Sequence, residues 1–521
     1  MDYCMKRGAV WLAGTLALFA IDTPRAAAAS CESLASLSLP ETTITAAQTI
    51  AAGEFNPPAG RGGRGGGPNY KDLAAFCRVQ ATLKPSADSD IKVEVWLPVA
   101  GWNGKFQGVA TGGGGAGAAI QGAINTGALA ATLRAGYATA STDGGHEGGT
   151  LEFALDHPEK VVDWGYRATH EMTVKARAII AGFYGVPASH SYWNACAAGG
   201  RQGLMEAQRY PRDYDGIVVG AAANYWTHLQ SWSLWVYEAT HKDEASYIPP
   251  AKYPLIHKAA VEQCDASDGV KDGVMEDPTR CKFDPKALEC KAGQDTSSCL
   301  TAGQVEAARK IYAPLTNPRT KAELFPGLEP GSELGWAGLA DGDEPPQYLR
   351  ETFKYLVFKD PSWDYKKHPV DFDRDVALAD ILDKGRATAV NPDLKEFFAR
   401  GGKLIDYHGW SDPLIAPGDA VNYYKKVTDK LGSAQVRESM RLYMVPGMLH
   451  CRGGEGTDNF DLESAIEDWV EKGKAPEQII ASRVTNGKVE RTRPLCPYPQ
   501  SAVYKGTGST DDAANFTCKV Q

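Results

Sequence analysis

Strand-like and helical segments alternate between about residues 77 and 223 of this 521-residue chain, and this alternation restricts the fold most strongly. Helices are predicted over 158–184 and 200–210. Short strands are predicted at 93–98, 105–110, 137–141, 192–195 and 216–220. Because strands that alternate with helices build a parallel sheet with helices on both faces, the pattern predicts an α/β fold.

The pattern changes after residue 225. The stretch 226–384 is rich in proline, contains four cysteines and has several Asp-Pro and Pro-Gly turns. The alternation then resumes at 403–407 (strand), 416–430 (helix), 441–445 (strand) and 461–472 (helix). The sequence therefore predicts a core formed by 30–225 and 385–521, with 226–384 inserted as a lid domain.

The amino terminus is typical of a signal peptide. Lys6 and Arg7 precede an apolar run over 8–20, and small residues follow at 26–30. The run is shorter than the ~20 residues needed to cross a bilayer, and cleavage is predicted after Ala29. A buried helix is the alternative interpretation. We expect a secreted or periplasmic protein that has no membrane partner.

Cysteine usage agrees with export. Cys4 leaves with residues 1–29, and an even number of cysteines in an exported chain predicts disulfides. Short loops make Cys264–Cys281, Cys290–Cys299 and Cys496–Cys518 the simplest pairs. Four cysteines are left for two longer bridges: Cys31, Cys77, Cys196 and Cys451.

Composition excludes other classes of protein. Hydrophobic residues make up 43% and charged residues 23%, as in soluble globular proteins. The net charge of −9 disfavours nucleic acid as a partner. The Gly/Arg-rich segment 60–67 is similar to RNA-binding tails, but in an acidic chain with disulfides a surface loop is expected. The sequence makes no prediction of oligomeric state.

Residues 192–203 follow a predicted strand and begin a predicted helix. This is the position of the nucleophile elbow, G-x-S-x-G, in α/β-hydrolases, and Ala195 and Gly199 supply its small flanking residues. Ala197 stands at the centre, where a serine is needed. Asp412 and His450 each follow a later predicted strand, and elbow, acid, histidine is the chain order of that fold. The sequence thus predicts an α/β-hydrolase core.

The chain resembles the tannase and feruloyl esterase family, which includes mono(2-hydroxyethyl) terephthalate hydrolase. The motifs are Cys196-Ala197, where the family has Cys-Ser, the distant Asp412, and His450-Cys451. The resemblance spans nearly the whole mature chain. It implies hydrolysis of small aromatic acid esters through a Ser-His-Asp acyl-enzyme, with no organic cofactor. It also implies five disulfides: Cys31–Cys77, Cys196–Cys451, Cys264–Cys281, Cys290–Cys299 and Cys496–Cys518.

The same resemblance implies where the oxyanion is held. One donor is the backbone N–H of Ala198, and the second belongs to the glycine run 111–117, at Gly112 or Gly113. Glycine allows the backbone to approach a substrate closely. A simple flexible loop is the alternative, while a phosphate loop is disfavoured because no Gly-Lys-Ser/Thr follows.

Ala197 leaves two interpretations open. The chain is a serine-to-alanine variant that traps substrate, or a natural non-catalytic relative that binds esters or sugars. Retention of Asp412, His450 and the glycine run favours the first, because a drifting pseudoenzyme has little reason to keep them. A calcium-dependent adhesion module explains the many Cys and Asp residues but not the ordered catalytic positions.

An acidic motif at 264–277 predicts a calcium site. Asp265, Asp268 and Asp272 alternate with glycines that permit tight turns, and calcium prefers six to eight oxygen ligands. The spacing is not that of an EF-hand. The family resemblance adds the carbonyl oxygens of Val270 and Val274 and makes Ca²⁺ a structural ion of the lid. A solvated acidic turn is the alternative.

Substrate contacts are predicted from aromatic and apolar residues. A pocket for an aromatic acid needs flat apolar walls. The candidates are Trp363 in the lid, and Trp410 and Ile415, which flank Asp412. Each is also compatible with an ordinary core position.

Overall fold

The computed structural model describes residues 29–57, 68–110 and 119–520. The segment 60–67 and the predicted signal peptide up to residue 28 lie outside these ranges. The described residues form these strands: β1 (Thr42–Ile50), β2 (Phe76–Leu83), β3 (Ile91–Pro98), β4 (Lys105–Ala110), β5 (Ala138–Thr142), β6 (His190–Cys196), β7 (Gly216–Gly220), β8 (Leu315–Thr316), β9 (Glu323–Phe325), β10 (Lys403–Gly409), β11 (Met440–Val445), β12 (Ile479–Thr485), β13 (Lys488–Leu495), β14 (Gln500–Tyr504) and β15 (Phe516–Val520).

The α-helices cover both faces of the sheet and much of the insertion. They are α1 (Ala119–Asn125), α2 (Ala128–Arg134), α3 (Pro158–Val162), α4 (Ala168–Tyr184), α5 (Ala198–Arg209), α6 (Trp226–Thr240), α7 (Tyr253–Cys264), α8 (Ala302–Tyr312), α9 (Ala337–Ala340), α10 (Gln347–Glu351), α11 (Arg374–Asp383), α12 (Lys395–Ala399), α13 (Gly418–Leu431), α14 (Ser433–Ser439) and α15 (Leu462–Lys472). Within the described residues, none of the helices is both long and apolar enough to cross a membrane.

Nine strands form one sheet in the order β1-β2-β3-β5-β4-β6-β7-β10-β11. The six strands from β5 to β11 in this order are parallel, as the alternating pattern predicts. The strands β1, β2 and β3 pair antiparallel, and β3 is antiparallel to β5. The parallel sheet that the alternating pattern predicts is therefore confirmed for six strands, and three antiparallel strands extend it at the β1 end. The connection from Leu83 to Ile91 is too short for a crossover helix, so β2 and β3 must run in opposite directions.

The sheet core consists of residues at the expected periodicities. Helix α4 buries Met172, Ala176, Ile179 and Phe183, which lie on one face at helical spacing. The interior strand β7 is buried along its whole length, as expected for a strand covered on both faces. The fold is therefore an α/β-hydrolase-like mixed sheet with helices on both sides.

The insertion contains α6 to α11 and only the short strand pair β8-β9 among the described residues. Its apolar core includes Trp232, Trp336 and Phe325, and it continues into the sheet domain through Trp164 and Trp226. The rings of these last two residues meet edge to face with centroids 5.1 Å apart. The insertion thus packs on the sheet domain as a large extra lid.

All five disulfide pairs implied by the resemblance are present: Cys31–Cys77, Cys196–Cys451, Cys264–Cys281, Cys290–Cys299 and Cys496–Cys518. Two of them, Cys264–Cys281 and Cys290–Cys299, lie within the lid. The pair Cys496–Cys518 joins the carboxy-terminal hairpins β12-β13 and β14-β15, because Cys496 follows β13 and Cys518 lies in β15. The sequence did not predict these hairpins, which pack beside the acidic motif of the lid through Val270 and Phe516.

Candidate active site

The predicted elbow is a sharp turn between β6 and α5. Ala197 has φ 57° and ψ −118°, a left-handed conformation that is costly for a residue with a side chain. Its N–H donates to the Gly220 carbonyl oxygen at 2.8 Å, and its own carbonyl accepts from Arg201 N–H at 3.0 Å and Ala223 N–H at 3.1 Å. The side chain at 197 is thereby held at the carboxyl end of the sheet.

The glycines after the elbow are required by close packing. A Cβ atom at Gly199 would lie 2.6 Å from the Cβ of Ala195, and one at Gly200 would lie 2.7 Å from the Gly220 carbonyl oxygen. Only glycine lets α5 begin this close to the sheet. The small residues of the motif are therefore explained by geometry, whatever stands at position 197.

Asp412 and His450 meet at the same edge of the sheet. They follow β10 and β11, which are neighbouring parallel strands, with Gly409 aligned with Val445. The Nδ1 of His450 lies 2.8 Å from Oδ2 of Asp412. The other oxygen of Asp412, Oδ1, accepts from the N–H groups of Leu414 and Ile415 at 2.8 and 3.1 Å. These bonds fix the carboxylate so that the imidazole ring is oriented by it.

The pKa shifts of Asp412 and His450 suit general acid–base catalysis. Asp412 is fully buried; burial alone would raise the pKa of its carboxyl, but the charge of His450 and the hydrogen bonds from His408 and His450 hold that pKa well below its ordinary value. Burial lowers the pKa of His450, but the charge and hydrogen bond of Asp412 outweigh this and raise it. A permanently ionised acid thus supports a histidine of increased basicity.

The disulfide Cys196–Cys451 joins the elbow to the histidine loop. The Cα atoms of the two cysteines are 6.1 Å apart, and Ala197 and His450 are their immediate chain neighbours. Cys451 has φ 65°, so the loop turns sharply directly after His450. The structure therefore brings all three predicted catalytic positions to one end of the sheet.

Sequence reasoning missed His408, which is a second histidine beside Asp412. It is completely buried at the end of β10, and its Nε2 lies 3.1 Å from Asp412 Oδ2 and 3.0 Å from the Ile415 carbonyl oxygen. Since both neighbours accept hydrogen bonds, Nε2 carries the proton. A histidine in a predicted strand, four residues before the acid, was the available signal.

A second missed residue is His257 of α7, which connects the lid to the histidine loop. Its Nδ1 lies 2.8 Å from Glu333 of the lid and its Nε2 lies 2.7 Å from Glu455, five residues after His450. Burial opposes protonation of this ring, but the two carboxylates prevail and raise the pKa of His257 to about 9. At neutral pH the imidazolium therefore ties the lid to the loop that carries His450.

The oxyanion residues are described only in part. Ala198 is the first residue of α5, where main-chain N–H groups are free of intrahelical partners. Gly112 and Gly113 lie outside the described residues. The strand before them, β4, pairs with β6 so that Ala110 is aligned with Ala195. Strand β4 therefore ends beside the strand that leads into the elbow.

The three predicted substrate residues lie in different surroundings. Ile415 is buried among lid and core residues, and its N–H binds Asp412. Trp410 is buried against α13, in a cluster with Val421 and Leu442. Trp363 is half-buried in the lid, where its ring packs on Phe358 with centroids 5.2 Å apart.

Comparison with known proteins identifies the family. The family model described as "Tannase and feruloyl esterase" matches residues 77–519. The chain belongs to the tannase and feruloyl esterase family. An uncharacterized esterase of Xanthomonas campestris pv. campestris is 38% identical over 96% of this chain and 93% of its own length. A probable feruloyl esterase B-1 of Aspergillus flavus is 34% identical over 85% of this chain and 86% of its own.

Solved structures of this family have the same fold. An esterase from Aspergillus oryzae superposes with a TM-score of 0.86 at 32% identity, covering 94% of this chain and 99% of its own. Feruloyl esterase B from Aspergillus oryzae gives 0.85 at 30% identity, with the same coverage. A tannin acyl hydrolase from Aspergillus niger, 22% identical, has a TM-score of 0.74 over 93% of both chains and supports the fold alone.

Proposed function

We propose that this member of the tannase and feruloyl esterase family has the machinery of a carboxylic ester hydrolase for aromatic acid esters, and that Ala197 deprives it of its nucleophile. The observation that carries the proposal is the Asp412–His450 hydrogen bond, held beside the strained elbow by Cys196–Cys451. The relatives named as feruloyl esterases support the substrate class. Export to the periplasm or the cell exterior belongs to the same proposal and is supported by the five disulfides.

With a serine at 197, the mechanism is acyl transfer in two steps. The serine oxygen attacks the ester carbonyl carbon while His450 takes its proton, and the Ala198 N–H stabilises the oxyanion. His450 then protonates the departing alcohol, which leaves an acyl-serine. A water attacks that ester and gives its proton to His450, which passes it to the serine oxygen as the acyl–serine bond breaks and the free acid leaves. Asp412 stabilises the imidazolium in both steps.

The experiment that tests the proposal is hydrolysis of methyl ferulate, propyl gallate and a terephthalate monoester by the Ala197→Ser variant, with ethyl acetate as the non-aromatic comparison. Turnover of aromatic esters in preference to the acetate supports the proposal. A variant that is folded but as inert as the present chain favours the alternative, a non-catalytic ester- or sugar-binding relative, which Ala197 itself suggests.

The pH dependence of the serine form follows from the surroundings of His450. We expect its kcat/KM to rise with pH along a limb centred above about 6.5, the ordinary imidazole pKa. The Asp412 charge raises the pKa of His450, and only neutral His450 can take the serine proton, so activity is lost as pH falls through this raised value. The measurement is kcat/KM between about pH 5 and 9. A midpoint below the ordinary imidazole value would contradict it.

We also propose that the acidic motif of the lid binds one structural Ca²⁺. A cavity of about 20 Å³, enough for a single ion or water, is lined by four of the five expected ligand residues: Asp268, Val270, Asp272 and Val274. Burial and the nearby Asp272 and Asp265 charges raise the pKa of Asp268, and a bound cation would offset both effects. Asp272 also contacts Arg493, so the cation and this guanidinium compete for one carboxylate.

If calcium binds there, its removal should weaken the fold. We expect a chelator to lower Tm by about 5 °C, since a ligand at 100 times its Kd contributes about 2.7 kcal/mol. Asp268→Asn should abolish the response. Asp277→Asn is the matched control, because Asp277 lies in the same loop but binds Thr279 instead. Equal melting curves with chelator and with excess Ca²⁺ would contradict the site.

A further inference from the structure

A cavity of about 240 Å³ lies in the seam between the sheet domain and the lid. It is bounded by the core segment 154–161, the start of α6, and the lid segments 352–359 and 379–386. We call it the seam cavity. Neither Ala197 nor Asp412 nor His450 lines it, so it is separate from the candidate catalytic positions. Its volume is many times what one water needs.

The inner wall of the seam cavity is apolar and partly aromatic. Trp226, Val357 and Ala379 line it and are themselves buried. Tyr355 and Leu356 add a second aromatic ring and a further aliphatic surface. Small-molecule sites have this character, with mostly apolar walls and a few placed polar groups. The wall suits a flat ring rather than a hydrated ion.

The rim of the seam cavity is basic. In the described part of the chain, the side chains of Lys359, Lys384 and Arg386 have neither a hydrogen bond nor an ion pair. Two acids also line the cavity: Asp156, and Asp383, whose carboxylate accepts from the N–H groups of Ala387 and Thr388. The three cations outnumber these two carboxylates, in a chain whose net charge is −9, and this local excess of positive charge favours an anion.

The backbone of this rim is strained. Asp156, Lys359 and Lys384 have φ values of 60°, 54° and 51°, in the left-handed region. Lys384 ends α11 at a position where glycine is the usual residue. Strained residues of this kind gather at ligand sites, where the side chain is needed in spite of the strain. Two of the three cations on the rim of the seam cavity are thus carried by residues with left-handed backbone conformation.

We propose that the seam cavity binds a small organic anion that consists of one aromatic ring and one carboxylate. The ring lies against Trp226 and Tyr355, and the carboxylate faces Lys359, Lys384 and Arg386. The acid released in the proposed reaction has this chemistry. The inference does not rest on the proposed function, because no catalytic residue takes part in the binding.

Isothermal titration calorimetry tests this proposal. The protein is used as it is, with alanine at position 197, so that no ester turnover contributes to the heat. The probes are trans-cinnamate, cinnamyl alcohol as its neutral analogue, and acetate as a carboxylate without a ring. We expect one cinnamate per chain and no binding of acetate. The triple variant Lys359→Asn, Lys384→Asn, Arg386→Gln should weaken cinnamate at least about tenfold and leave the alcohol unchanged, because only charge-assisted hydrogen bonds are lost. Asparagine tolerates the left-handed backbone, so the fold is retained.

Two further variants keep the outcome unambiguous. Ala379→Phe fills the cavity and should abolish binding of both cinnamate and its alcohol. A control triple variant, Lys258→Asn, Lys282→Asn, Lys310→Asn, removes three exposed lid cations outside the seam cavity and should not change either affinity. Absence of cinnamate binding, or cinnamate binding that survives the rim variant and Ala379→Phe, would overturn the proposal. Binding lost only in His450→Ala would place the ligand at the catalytic positions and would overturn it as well.

Discussion

Replacing Ala197 with serine should raise ester hydrolysis by about 10⁵- to 10⁶-fold, since loss of the nucleophile in a serine hydrolase costs about that much. The backbone at 197 already has the strained conformation, φ 57° and ψ −118°, and its hydrogen bonds to Gly220 and Ala223 are in place. The hydroxyl is therefore added to a turn that needs no rearrangement, beside a histidine that Asp412 has made more basic.

The readout is kcat/KM for an aromatic ester, together with the intact mass after treatment with a sulfonyl fluoride. We expect the serine form to gain the mass of one sulfonyl group, and the double variant Ala197→Ser, His450→Ala to gain none. Ala197→Gly, which also lacks a hydroxyl, is the control for contaminating esterases and should stay inert. If the serine form neither turns over esters nor reacts with the reagent while its Tm is unchanged, the hydrolase proposal fails.

The spacing of small residues made the elbow predictable from sequence. Gly199 and Gly200 mark places where α5 passes too close to the sheet for any side chain, and that requirement is local and therefore visible in the chain. The order of elbow, Asp412 and His450 is likewise a property of sequence. The contact between Asp412 and His450 depends on β10 and β11 being neighbours in the sheet. The alternating pattern predicts the fold class, and only the fold class makes these two strands neighbours.

Other features depend on contacts between distant segments that no local pattern records. His408 lies beside Asp412 because the turn after β10 folds back on the strand. His257 joins Glu333 to Glu455 across nearly two hundred residues of chain. The antiparallel strand β1 lacks a clear alternation, because both of its faces are partly exposed, and periodicity is informative only where one face is buried.

Asp412→Asn in the serine background should lower kcat by about 10⁴-fold while leaving the fold intact. The amide oxygen can still accept from the N–H groups of Leu414 and Ile415, as Oδ1 does now. The amide nitrogen then faces Nδ1 of His450 and, being a donor, forces the ring to carry its proton on Nε2. A ring in that tautomer cannot take the proton of the serine, and no carboxylate balances the imidazolium.

A matched control for this substitution lies on β10, the strand that precedes Asp412. Asp406 is as deeply buried as Asp412, but its Oδ1 has no hydrogen-bond partner among the described residues. Burial and the neighbouring Asp419 raise the pKa of Asp406 well above its ordinary value. Burial thus favours the protonated form of this carboxyl, and among the described residues the hydrogen-bond partner of His450 is Asp412 and not Asp406. Asp406→Asn should therefore leave kcat unchanged. A comparable loss of kcat in both variants would mean that Asp412 acts through general packing of β10 and not through the imidazole of His450.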